Sequence, residues 1–120
     1  HSPGFLKLVN QARSKIRQCT ILDVVDKLKR KEPFHLVDVR EESEWDNGHA
    51  AGALHLSKGI IERDIEMKIP DHDAAIILYC GGGFRSALVA EAIQEMGYTN
   101  VISMDGGWRA WIENDLPTER

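Results

Sequence analysis

The sequence predicts an α/β fold built on a parallel sheet, and three observations carry that prediction. Residues 74–79, AAIILY, form an unbroken apolar run of strand length, as a strand buried on both faces requires. Shortly after it, Leu88, Val89, Ala92, Ile93 and Met96 recur at helical spacing. Elsewhere short apolar runs alternate with amphipathic stretches, the order in which parallel strands and their crossover helices occur.

Taken from the start, Ser2-Pro3 caps and opens a helix whose apolar stripe is Phe5, Leu8, Val9, Ala12 and Ile16. A short strand follows near Arg17 to Cys19. Thr20 caps a second helix with Ile21, Val24, Val25 and Leu28 on one side, and the basic stretch Lys27 to Lys31 suits its C-terminal end. His35 to Val39 is the next strand. A polar loop or short helix around Glu42 to Asn47 leads to a further strand at Leu54 to Leu56, and Ile60, Ile61, Ile65 and Ile69 mark another helix. After the Ala74 to Tyr79 strand and its helix, Gly97 supplies the helix C-cap. Val101 to Met104 closes the sheet, and a last helix begins near Gly107.

Cys80-Gly81-Gly82-Gly83-Phe84-Arg85 thus lies between the carboxyl end of a strand and the start of a helix. Ligands of open α/β sheets bind at that edge, and a helix start turns free N–H groups and a positive dipole end toward it. A thiol placed there beside an arginine is set up to ionise near neutral pH. Glycines let consecutive amides turn inward on one anion, and Arg85 adds a planar fork of donors. The bland alternative is an inert buried cysteine before a glycine turn, which a lone cysteine would favour. The glycine run and Arg85 together favour a reactive thiol. Gly81, Gly83 and Asp105 imitate a dinucleotide fingerprint, but Ser86 holds its third glycine position and the chain is too short for two mononucleotide-binding halves.

Other residues read as support. Asp38 and Arg40 stand two apart, on one side of a strand, where they brace the thiol loop; Arg40 is expected to pair with Glu41, Glu44 or another acid. A structural ion pair is the favoured reading over direct chemistry. Trp108 and Trp111 are three apart on a helix, so one belongs to the core and the other walls the cleft. Phe84 is either an apolar rim for a substrate or partner, or a packing residue.

The thiol loop, Leu36-Val37-Asp38-Val39-Arg40-Glu41, Gly48-His49-Ala50-Ala51-Gly52-Ala53 and Gly106-Gly107-Trp108-Arg109-Ala110-Trp111 occur in the order and spacing of a single-domain rhodanese, a thiosulfate sulfurtransferase. The chain resembles that family over about residues 17–117. The resemblance implies a rhodanese-like three-layer αβα fold with a five-stranded, mostly parallel sheet over residues 17–120, leaving the helix of residues 1–16 outside the shared core. It implies Cys80 as the catalytic residue, with Gly81, Gly82, Gly83, Phe84, Arg85 and Ser86 holding the substrate, and it makes His49 the family's turn histidine, satisfying backbone groups. The chain has Ala50-Ala51 where the family often has Ile-Pro, a change expected to loosen that turn. Arg85 is the only cation of its loop, where relatives often carry a second.

The expected function is sulfur transfer. The Cys80 thiolate attacks the outer sulfur of a donor such as thiosulfate, sulfite leaves, and the sulfur passes to cyanide, a thiol or a protein acceptor. No general base and no cofactor are called for. A persulfide-carrier or thiol-redox module uses the same chemistry toward a protein partner. A phosphatase or arsenate reductase typically puts five residues between cysteine and arginine; this loop has four. A non-catalytic binding domain fits poorly with an intact Cys80.

Composition agrees with one compact domain: 120 residues, 42% hydrophobic and 28% charged. The net charge of −4 and the lack of a basic run argue against a nucleic-acid partner, and no apolar stretch approaches a membrane span. The five histidines lack ligand spacing, so no metal is expected. Two cysteines make no disulfide framework; Cys19 and Cys80 are expected reduced, Cys19 as a small buried residue, in a cytoplasmic setting.

Overall fold

The computed structural model describes residues 1–120. In chain order the elements are α1 (Pro3–Arg13), β1 (Arg17–Cys19), α2 (Ile21–Lys29), β2 (His35–Asp38), α3 (Glu42–Asp46), β3 (His49–Ala50), β4 (Leu54–His55), α4 (Ile61–Lys68), β5 (Ile76–Tyr79), α5 (Arg85–Glu95), β6 (Val101–Met104), α6 (Gly107–Glu113) and β7 (Thr118–Glu119). Five strands form one sheet in the order β1-β6-β5-β2-β4, every neighbour parallel. β3 and β7 form a separate antiparallel pair.

Alternation along β5 sorts the core into two faces. Ile76, Leu78 and Cys80 join Val37, Ile61, Ile65, Val89 and Ile93 beneath α4 and α5. Ile77 and Tyr79 join Val24, Leu36, Met104 and Trp111 beneath α2 and α6. The result is the three-layer αβα fold, with α1 lying against α5. No helix is long and apolar enough to cross a membrane.

Local signals act as the sequence suggests in several places. Thr20 and Asp23 form a reciprocal capping box at α2. Gly97, at φ +102°, ends α5 one residue past its C-cap Met96; its N–H bonds Gln94 O while the Tyr98 N–H reaches Ile93 O.

Elsewhere the structure corrects the sequence reading. Val101–Met104 does not close the sheet; it lies inside it, next to β5, because β1 pairs along its outer edge. Leu8 is 55% exposed and Leu28 42%, so the stripes of α1 and α2 are narrower than their apolar content suggests. α1 stops at Arg13, and Ile16 packs on the core from the following segment instead. Ser2 stands at the N-cap, but its hydroxyl makes no capping bond. Cys19 is only half-buried; burial foremost, with Asp23 and Asp105, pushes its thiol up to about 11. At the turn of Ala50-Ala51, Ala50 N–H donates to the Tyr79 hydroxyl and Ala51 N–H to Pro117 O.

Candidate active site

β5 is the central strand, and Cys80 follows its last residue directly. The side chain is almost wholly buried, yet Cys80 lines a cleft of about 520 Å³ with Gly81, Gly82, Phe84, Arg85 and Arg109. The N–H groups of Gly83 and Ser86 donate to Sγ, at 3.1 and 3.3 Å. Ser86 Oγ lies 3.5 Å from Sγ and bonds the buried Ser103 hydroxyl of β6 at 2.8 Å. The amides of Gly81, Gly82, Phe84 and Arg85 have no partner within the protein.

What turns so many amides one way is the fate of the carbonyls. Trp108 N–H holds Cys80 O at 2.7 Å, Arg109 N–H holds Gly81 O at 3.2 Å, and Gly106 N–H holds Gly82 O at 3.2 Å. Arg13 Nη2, from α1, takes Gly83 O at 3.2 Å. In a trans peptide the N–H points opposite to the C=O, so four carbonyls tied outward leave the amides of residues 81–84 facing inward. The approach of α6 requires Gly107: at φ +51°, a Cβ there would sit 2.3 Å from Cys80 O.

The electrostatics differ from the sequence expectation. Arg85 lines the cleft beside Gly81, but its fork is shared with an acid from another element. Nη1 and Nη2 sit on the two oxygens of Glu44, at 2.7 and 3.1 Å. That hydrogen-bonded pairing holds the Glu44 carboxyl below its ordinary range and raises the Arg85 pKa. Arg109 from α6 also lines the cleft, and its guanidinium has no carboxylate partner.

Asp38 and Arg40 form a buried pair, Arg40 Nη2 to Asp38 Oδ2 at 2.8 Å, so Arg40 pairs with neither Glu41 nor Glu44. The Tyr79 hydroxyl donates to Asp38 at 2.6 Å, and burial foremost raises the pKa of that phenol. Arg40 also donates to Gly48 O and stacks 4.6 Å from the Trp108 ring. The pair thus braces Trp108 and the start of α6 and makes no hydrogen bond to the thiol loop. His49 is buried away from Sγ, its Nδ1 at 3.1 Å from Trp45 O and its ring stacked 3.4 Å from Trp45. Trp111 is the core tryptophan, and Trp108 lines a shallow cleft beside Gly81.

Sequence reasoning missed Glu44 as the Arg85 partner, Ser103, Arg109, and Arg13 with Phe5 from α1. Arg109 lies inside a motif already conspicuous; the others carry no local signal.

The profile of the rhodanese-like domain matches residues 21–114. The chain belongs to the rhodanese-like domain family. It is 37% identical over 84 residues to the thiosulfate sulfurtransferase GlpE of Haemophilus influenzae, covering 70% of this chain and 78% of that one. It is 33% identical over 82 residues to the probable adenylyltransferase/sulfurtransferase MoeZ of Mycobacterium tuberculosis, covering 68% of this chain and only 21% of that much longer relative. Among solved structures it resembles a thiosulfate sulfurtransferase from Pseudomonas aeruginosa, with a TM-score of 0.78 and 28% identity over 88% of this chain and 20% of that one. It also resembles a protein of unknown function from Rhodopseudomonas palustris, described as a possible tyrosine phosphatase, with a TM-score of 0.84 and 27% identity over 99% of this chain and 96% of that one. Family and relatives together support sulfur transfer as the general chemistry.

Proposed function

We propose that the protein is a sulfurtransferase carrying sulfane sulfur as a persulfide on Cys80. The observation that supports this most is the amide ring: two N–H groups on Sγ and four more unpartnered in the same loop. So dense a set of donors suits an anionic sulfur better than a neutral thiol.

The Cys80 thiolate attacks the outer sulfur of thiosulfate. The Sγ–S bond forms as the donor's S–S bond breaks, and sulfite leaves with that electron pair. Cyanide or a thiolate then takes the terminal sulfur, giving thiocyanate or a new persulfide and restoring the Cys80 thiolate. Charge and electrons balance without an oxidant, a cofactor or a proton transfer. A protein thiol accepts sulfur by the same step, which keeps the persulfide-carrier reading within this proposal. The free thiols of Cys19 and Cys80 fit a reducing, cytoplasmic setting.

A phosphatase loop typically puts five residues between cysteine and arginine, and this loop has four. The test is thiocyanate formation from thiosulfate and cyanide. Turnover by the wild type and none by folded Cys80→Ser supports the reading; comparable turnover in Cys80→Ser overturns it.

A further inference from the structure

Resting on that sulfur-transfer reading, we propose that α1 is a specificity wall. With it, the site prefers an organic sulfur carrier, with an apolar body and a single negative charge, over inorganic thiosulfate.

The cleft at Cys80 is lined by an aromatic cluster and by arginines. In the cluster, Phe5 of α1 stands 6.3 Å from the Phe84 ring, centroid to centroid, and the His1 ring 4.2 Å from it. Phe84 is held there by α1 as well: the Arg13 guanidinium lies 4.8 Å from its ring while Nη2 bonds Gly83 O. Arg109 also lines the cleft. A volume of about 520 Å³ falls among those of sites that take small organic molecules. Thiosulfate is an ion of a few atoms and leaves the aromatic cluster untouched.

Charge points the same way. Glu44 pairs with Arg85, so Arg109 is the side-chain cation of the cleft without a carboxylate partner, on a protein of net charge −4. With Arg85 shared with Glu44, a dianion is less fully compensated here than a monoanion. The family profile begins at residue 21, so the wall built by α1 lies outside the residues it matches. Phe5 and Phe84 are the specificity-determining contacts and Arg109 the anion contact.

Benzenethiosulfonate and thiosulfate are the probes, since both give up one sulfur and release a sulfinate or sulfite. The wild type should show a higher kcat/KM for benzenethiosulfonate. Phe5→Ala should cut the ratio between the two donors by about tenfold, with part of the loss recovered in Phe5→Leu. A second arm reads binding without turnover. Benzenesulfonate carries the ring and one charge but no transferable sulfur. It should protect Cys80 from iodoacetamide in the wild type, more than sulfate does, and protect folded Phe5→Ala much less. An unchanged donor ratio in folded Phe5→Ala, or equal protection by benzenesulfonate and sulfate, overturns the inference. If neither donor loads the wild type while benzenesulfonate still protects, the wall stands and the sulfur-transfer reading fails instead.

Discussion

Arg85 gives both terminal nitrogens of its guanidinium to Glu44, at 2.7 and 3.1 Å, across a sequence distance of 41 residues. The one cation of the thiol loop is therefore spent on a partner from α3. Glu44→Gln leaves Arg85 uncompensated beside the cleft and should lower the KM for thiosulfate by roughly threefold at low ionic strength, a gain that fades as salt rises. A KM unchanged at every salt concentration would show that Arg85 does not reach the substrate.

The same pair sets a pH dependence. The Glu44 carboxyl titrates below its ordinary range because Arg85 bonds its charged form. A depressed folded-state pKa contributes stability that is present above the unfolded value and lost as pH falls through the folded one. Thermal melts from about pH 7 down to about pH 3 should show Glu44→Gln losing less stability on acidification than the wild type. Parallel curves would argue that the pair contributes nothing.

Gly107→Ala tests the clamp between α6 and the loop. Its Cβ would stand 2.3 Å from Cys80 O at φ +51°, so the loop or the helix must shift. We expect a loss of about 1–3 kcal/mol in denaturant melts and a larger proportional loss of sulfur loading. Gly59→Ala, with nothing within 4 Å of the added carbon, should be neutral.

Gly82 has room that Gly107 lacks. A Cβ there meets only the Phe84 ring edge, at 3.8 Å, and no positive φ is required. Gly82→Arg should lower the KM for thiosulfate by adding a cation no carboxylate cancels, with a gain that shrinks in salt. A folded variant with reactive Cys80 that binds thiosulfate no better at any ionic strength would mean charge does not limit this site.

How far the sequence reveals this molecule depends on the range of the interaction. The run at Ala74 to Tyr79, the cap at Thr20 and the turn at Gly97 are local, and each is readable where it stands. So is the thiol loop, whose residue types state their chemistry. The order of the strands is not local: nothing in Val101 to Met104 says that it lies inside the sheet. β3 and β7, two residues each, have no periodicity and form only where residues 49–50 meet residues 118–119. Leu8 looks like its apolar neighbours until the helix orientation turns it outward. The partners that shape the site, Glu44, Arg13 and Ser103, arrive from three separate elements, so the fold alone reveals them.

Everything proposed for this site depends on sulfur residing on Cys80. Intact-mass analysis after exposure to thiosulfate, followed by peptide mapping, addresses it directly. One added sulfur atom is expected, on the peptide bearing Cys80, removed by cyanide and never acquired by Cys80→Ser. Folded wild type that gains no sulfur, or sulfur found on Cys19 or retained in Cys80→Ser, would contradict it.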